Sequence, residues 1–336
     1  MTPSRRSVRE WRLFMWLSIG AVVISVAYGY ARIGTPGAVM VSVANSLAIA
    51  TPILLLETKG QRTVLRSLRR LPLLAYLGLK VVFYMAAIVG GLLLVRALGF
   101  GTQEAFEQSF RSSILFSIAM SVLANLVFEF GGLLGFGTLK NLFLGRYVQP
   151  RREQRAFLLI DMRDSTGLAE RLGAVKFHEL LYDFFRDVSD AALECEGQIH
   201  KYVGDEAILT WRQGAALGDG ECLRFPFVAR ELIEHRHTEY VTRYGAVPAF
   251  RAAAHYGEIV AGEIGDVRRE IAYVGDTLNV TARLLEAAKE MGRDVLVSDE
   301  LLALAGLPDG ITAEKLPMLS VRGRAQPLAV SALARV

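Results

Sequence analysis

Ala156-Phe157-Leu158-Leu159-Ile160-Asp161-Met162-Arg163-Asp164-Ser165-Thr166-Gly167 is the stretch whose reading decides the fold of the C-terminal half. An apolar run suited to a buried strand ends on an acid, and small polar residues then turn the chain into a helix. A second stretch, His200-Lys201-Tyr202-Val203-Gly204-Asp205-Glu206-Ala207-Ile208, places Asp205 at a glycine turn between two strands. An acid at the end of a buried strand and an acid at a hairpin turn can face one point. Two such carboxylates suit a pair of hard divalent cations, which take oxygen ligands. Paired metals organise phosphoryl chemistry on nucleotides.

Outward from these stretches, short apolar strands alternate with amphipathic helices from Arg155 onward. Strands are expected at 156–162, 198–202, 206–211, 250–255, 258–265, 271–274, 294–298, 315–321 and 328–333. Residues 198–211 read as one hairpin and 250–265 as another, turned at Tyr256-Gly257. Helices are expected at 165–172, 175–193, 221–244 and 277–291, the last with Asp276 as N-cap. The fold class is α/β, a mixed sheet covered by helices.

The N-terminal half is of another kind. The chain is 52% hydrophobic, and the excess lies before residue 146. Apolar stretches at 11–30, 37–56, 74–98 and 113–134 approach the ~20 residues that cross a bilayer. Arg5, Arg6, Arg9 and Arg12 precede the first. Lys59, Arg62, Arg66, Arg69 and Arg70 follow the second, and Lys140, Arg146, Arg151, Arg152 and Arg155 follow the fourth. The other two loops are poorer in basic residues, which puts the N-terminus and the C-terminal half on the cytoplasmic side of the inner membrane. The first span follows a basic segment as a signal peptide would, but its length and the later spans favour a retained anchor. Lys80 and Arg96, near the ends of the third span, are expected to snorkel. Glu129, deeper in the fourth, reads equally as a functional carboxylate or as an interhelix hydrogen-bond partner.

The expected organisation is a four-helix transmembrane anchor or sensor at 1–137, a connector at 138–155 and a catalytic domain at 156–336. Gly131, Gly132, Gly135 and Gly137 lead into the connector and Pro150 closes it, so that it either transmits helix movements or serves as a tether. The net charge of +4 is accounted for by arginines at the membrane edges, so nucleic-acid binding is not indicated. Cys195 and Cys222 lack metal-ligand spacing and read as small buried hydrophobes.

Taken singly, the polar motifs are ordinary. The turn through Thr166 can cradle phosphate oxygens on backbone N–H groups, and Asp164 or Ser165 can equally cap a helix there. Asn279 and Arg283, spaced i,i+4, share a helix face and read as a surface pair or as groups that stabilise phosphate charge. Their joint occurrence and order are specific. Phe157-Leu-Leu-Ile-Asp-Met-Arg-Asp-Ser-Thr166, Lys201-Tyr-Val-Gly-Asp-Glu206, Arg251-Ala-Ala-Ala-His-Tyr-Gly257 and Gly275-Asp-Thr-Leu-Asn-Val-Thr-Ala-Arg283 occur in that sequence. Over 156–330 the chain resembles the catalytic domain of the class III nucleotidyl cyclases, the adenylyl and guanylyl cyclase family.

The resemblance implies that Asp161 and Asp205 bind two divalent metal ions, Mg²⁺ or Mn²⁺. It implies that Asn279 orients the ribose, that Arg283 stabilises the transition-state phosphate, and that Arg251, Arg322 and Thr166 serve the polyphosphate end. Lys201 matches a position that donates to adenine, which favours ATP. Ala272 matches its partner position but cannot accept a hydrogen bond, which leaves guanylyl or dual-purine activity as an alternative. In this family each site lies between two catalytic domains, so a head-to-tail homodimer is implied. The implied protein is a membrane-anchored adenylyl cyclase with ATP, membrane lipid and an unidentified membrane ligand as further partners. A silent receptor of the same fold is the rival from another class. Diguanylate cyclase chemistry is not indicated, since Val203-Gly204-Asp205-Glu206-Ala207 lacks the Gly-Gly-Asp-Glu-Phe signature.

Overall fold

The computed structural model describes residues 5–33, 36–60, 65, 68, 71–99, 103–135, 141, 143–267, 269–320 and 326–336. It divides into two units, Met1–Leu139 and Lys140–Val336. The first holds α1 (Arg5–Ile33), α2 (Pro36–Thr58), α3 (Leu73–Ala97) and α4 (Gln103–Leu134). Within them Trp11–Ala31, Val39–Thr58, Ala75–Ala97 and Ile114–Gly131 are long and apolar enough to cross a membrane. Gly91 lets α3 lie close to α2, since a Cβ there would meet Ile49 Cγ1 at 2.8 Å and the Ala48 carbonyl oxygen at 3.3 Å.

Lys80 does not snorkel. Tyr76, Lys80 and Tyr84 recur at every fourth residue of α3 and line its inward face, so the ammonium has no path to the interface. Its Nζ lies 2.8 Å from Glu57 Oε1 of α2 and 3.0 Å from Glu129 Oε1 of α4, and its side chain is fully buried. Tyr76 donates to Glu129 at 3.0 Å, and Tyr84 donates to Glu57. Glu129 is therefore an interhelix hydrogen-bond partner, and Glu57 is a member of the same cluster. Arg96 is exposed at the end of α3.

The second unit contains β1 (Arg151–Met162), α5 (Ser165–Leu172), α6 (Ala174–Glu194), β2 (Gln198–Val203), β3 (Glu206–Arg212), α7 (Ala215–Gly218), α8 (Glu221–Glu234), α9 (His237–Tyr244), β4 (Phe250–Ile264), β5 (Glu270–Val274), α10 (Asp276–Glu290), β6 (Val295–Ser298), α11 (Asp299–Ala305), β7 (Ile311–Leu319) and β8 (Leu328–Arg335). They form an eight-stranded mixed sheet in the order β2-β3-β1-β4-β6-β8-β7, with β5 paired to β4. β4 and β6 run parallel; β1 is antiparallel to both its neighbours. Residues 155–160 of β1 are all buried because both faces of the sheet are covered. Ala156, Leu158, Ile160 and Met162 enter one core with Leu180, Phe184 and Phe225. Phe157 and Leu159 enter the other with Val280 and Leu284 of α10. Cys195 and Cys222 are free and buried, as expected.

Four local expectations change. β1 begins at Arg151 rather than Ala156, because β4 pairs with it as far as Ala261. The hairpin expected at Tyr256-Gly257 is absent: β4 runs straight through from Phe250 to Ile264. Gly257 serves close approach instead, since a Cβ there would meet Thr277 Oγ1 at 2.5 Å. The helix expected at 221–244 is two, and the chain turns at Arg236, whose Nη1 is anchored 2.6 Å from buried Asp187 of α6. Finally, Gly275 and not Asp276 is the N-cap of α10.

Lys80→Met leaves two carboxylates facing each other in the apolar layer. Removing one partner of a buried ion pair costs about 3–5 kcal/mol. The variant is expected to unfold in detergent at a clearly lower temperature than the parent, and Lys80→Met/Glu57→Gln should recover part of the loss. Equal unfolding temperatures for Lys80→Met and the parent would contradict the clustered packing.

Candidate active site

Antiparallel register sets the site. Asp161 at the end of β1 stands opposite Glu206 of β3 on one side and Arg251 of β4 on the other. Side chains alternate along a strand, so Asp161 shares the face of Phe157 and Leu159, the face that α10 covers. Gly204 takes a positive φ of 61° that closes the β2–β3 turn and brings Asp205 round. The Met162 N–H donates to the Asp205 carbonyl at 3.4 Å, tying the turn to the end of β1.

The structure brings Asp161 and Asp205 together, with Glu206 beside them. Burial and then the Asp205 carboxylate push Asp161 up to about 6, against the pull of Lys289 and Arg251. Burial and then Asp161 and Asp205 raise Glu206 to about 7. Like charges thus crowd one another at a place where a cation would relieve them. Arg251 is half-buried, and among the described residues its buried Nε has no hydrogen-bond partner. A guanidinium beside paired acids fits a metal-bound polyphosphate. Among the described residues no three acidic, His or Cys side chains converge to close a metal site alone, so further oxygen ligands must come from substrate, backbone or water.

Thr166 is exposed in the first turn of α5. Asp164 precedes that helix at φ 53° and makes no side-chain cap hydrogen bond. Arg163, in the loop after β1, is half-exposed and ion-paired with Asp294. Asn279 and Arg283 lie on the exposed face of α10, and Arg283 is held 2.6 Å from Glu286. Lys289, which acts on Asp161, sits near the other end of the same helix. Asn279 is displaced from it by about 15 Å along the axis. Lys201 on the edge strand β2 lies 3.5 Å from Glu270, which alternates with Ala272 on β5. Arg322 lies outside the described residues. Glu206, Lys289 and Glu270 were not singled out in the sequence. The i,i+2 spacing of Glu270 and Ala272 was the available signal for one of them.

Adenylate cyclase 2 of Rhizobium meliloti (strain 1021) is 34% identical over 334 residues, which span 96% of this chain and 92% of that protein. The chain belongs to the class III nucleotidyl cyclase family. The likeness runs through both halves of the cyclase. The adenylate cyclase of Anabaena cylindrica is 21% identical over 180 residues, 52% of this cyclase and 35% of that protein. Among solved structures, a bacterial light-regulated adenylyl cyclase superposes with a TM-score of 0.54 at 16% identity, covering 70% of this chain and 66% of that one. At that identity the likeness concerns the fold. No family model matches the chain. The cyclase thus has a catalytic domain of the class III type and a four-helix transmembrane domain.

The raised Asp161 pKa means that its ionised form is disfavoured in the metal-free fold. The penalty is full above about 6, shrinks as pH falls below that value, and is gone below the ordinary carboxyl value of 3.8. Discounted for solvent screening, it is about 1 kcal/mol. Asp161→Asn should therefore raise the unfolding temperature of metal-free protein at pH ~8, raise it only about half as much at pH ~5, and abolish the stabilisation that Mn²⁺ gives the parent. A variant that Mn²⁺ still stabilises fully would show that the cation binds elsewhere.

Proposed function

We propose that the protein is a membrane-anchored adenylyl cyclase that converts ATP to cyclic AMP and pyrophosphate. The observation that carries this is the meeting of Asp161 with Asp205 and Arg251, in a chain 34% identical along nearly its whole length to an adenylate cyclase. Asp161 and Asp205 would hold two Mg²⁺ or Mn²⁺ ions. When bound, these supply activation of the ribose 3′-hydroxyl and charge neutralisation on the triphosphate. Arg251, paired in register with Asp161, would offer its guanidinium to the polyphosphate. Asn279 orients the ribose. Arg283 exchanges Glu286 for the phosphate whose charge builds as the α-phosphate is attacked. Thr166 and Arg322 complete the grip on the triphosphate.

Lys201 donates to the purine edge. Ala272 offers no acceptor, but the Glu270 carboxylate, 3.5 Å from the lysine, stands on the same face of β5. This favours ATP; the methyl of Ala272 keeps a dual-purine enzyme as the second reading. The displacement of Asn279 and Arg283 along α10 from the acids supports a head-to-tail homodimer, in which one chain brings the metals and its partner the ribose and phosphate contacts. The basic loops support a cytoplasmic catalytic domain on an inner-membrane anchor.

Purified full-length protein given Mn²⁺ with ATP and GTP together should yield mainly cyclic AMP. Asp161→Ala and Asn279→Ala should each be nearly inactive as homodimers. Coexpressed in equal amounts, they should recover about a quarter of parental activity, because half the dimers are mixed and each mixed dimer keeps one intact site of two. No recovery on mixing would overturn the shared-site reading, and no cyclic nucleotide from the parent would favour a silent receptor.

A further inference from the structure

Arg155 of β1 lies outside the residues used above, yet it is fully buried. Arginine is almost never fully buried unless paired. Its Nη2 and Nε lie 2.6 and 2.8 Å from Glu153 Oε2. Burial works against the Glu153 charge, but Arg155, Tyr147 and Arg212 together hold that carboxyl below its ordinary range. Tyr147, from the segment between α4 and β1, closes the cluster. Its hydroxyl donates to Glu153 Oε1 at 3.0 Å and accepts from Arg155 Nη2 at 2.9 Å and Arg212 Nη2 at 2.7 Å. Its ring is buried in the core of Phe157 and Leu159. Its carbonyl accepts from the Glu263 N–H of β4 at 2.9 Å. Pro150 follows, so close to β4 that a Cβ on Gly262 would lie 3.3 Å from it. The end of the connector is thus built into the sheet.

On its other side the Arg155 guanidinium lies 4.6 Å from the ring centroid of Tyr273. Tyr273 packs edge-on against Phe157 at 5.5 Å and meets the His200 ring at 4.5 Å. Burial first, then Lys201 and Arg155, lower His200 to about 4, so the ring in this stack is neutral at physiological pH. Tyr273 adjoins Ala272, and His200 adjoins Lys201. β2 is the edge of the sheet, with a register shift between Ile199 and Lys201, and β5 pairs with β4. Ladder hydrogen bonds therefore do not join β2 to β5; the Arg155–Tyr273–His200 stack does.

We propose that Tyr147 and Arg155 are positioning residues for purine recognition: acting through Tyr273 and His200, they fix β2 against β5 and so place Lys201 and Glu270 on the purine. This rests on the reading of Lys201 as the purine-binding residue. Tyr147 and Arg155 are both buried, so neither is presented to a substrate. A displacement of the connector at Tyr147 would be felt at the purine edge before it reached the metal acids.

The test is steady-state kinetics of the full-length protein with ATP and with GTP, alongside thermal unfolding. Lys201→Ala is the benchmark and should raise KM for ATP. Tyr147→Phe, which removes the acceptor that the Arg155 and Arg212 guanidinium groups share, should raise KM for ATP about fivefold, keep kcat within about twofold, and weaken the preference for ATP over GTP. Tyr273→Leu should do the same, and Tyr273→Phe, which keeps the ring, should match the parent. If Lys201→Ala raises KM while Tyr147→Phe and Tyr273→Leu leave KM and purine preference unchanged, the positioning role is wrong and the purine reading survives. If Lys201→Ala leaves KM unchanged, the purine reading itself fails. Loss of thermal stability and kcat at constant KM would make the cluster structural only and would also overturn the proposal.

Discussion

The pairing of β1 with β3 on one side and β4 on the other holds Asp161 between Glu206 and Arg251, and the rest of the site is arranged around that row. A slip of one residue would send Asp161 into the core of Leu158 and Ile160 and bring an apolar residue to the site. That core cannot accept an unpaired carboxylate, so burial on both faces of β1 enforces the register. Gly204 completes the arrangement by turning the hairpin tightly enough for Asp205 to reach the same point.

Charge is buried in several places in this chain, and the way it is satisfied separates structure from site. Lys80 in the membrane unit sits between two carboxylates, each of which also accepts from a tyrosine. Asp183 and Asp187 of α6 accept from Tyr244 and Tyr240 and are ion-paired to arginines. Arg155 has Glu153 and Tyr147. At the candidate site the balance differs: Asp205 raises the pKa of Asp161, and both raise that of Glu206. Unrelieved acids cost stability in the metal-free fold. They are what a cation would relieve.

Several features were legible in the sequence because they depend on short range. The apolar run ending in Asp161, the Gly204-Asp205 turn, the spans and the i,i+4 spacing of Asn279 and Arg283 follow from strand, turn and helix periodicity. Gly257 was misread because a glycine in an apolar stretch signals a turn and a close approach equally well, and the approaching Thr277 is distant in sequence. Lys80 was misread because its distance from a span end says nothing about which face of the helix it occupies. That depends on Glu57 and Glu129 of neighbouring helices.

By itself the sequence determined the two-part organisation, the mixed sheet and the residues that resemble a cyclase site, because local patterns and ordered motifs carry that information. Tertiary structure alone decided that Lys289 acts on Asp161 and Asp161 on Glu206, that Glu270 meets Lys201, and that Tyr147 bonds Arg155, which stacks on Tyr273. These contacts join residues far apart in the chain. Their geometry is set by strand register, by the pairing of β5 with β4 and by the packing of α10 over one face of the sheet, which no local window contains.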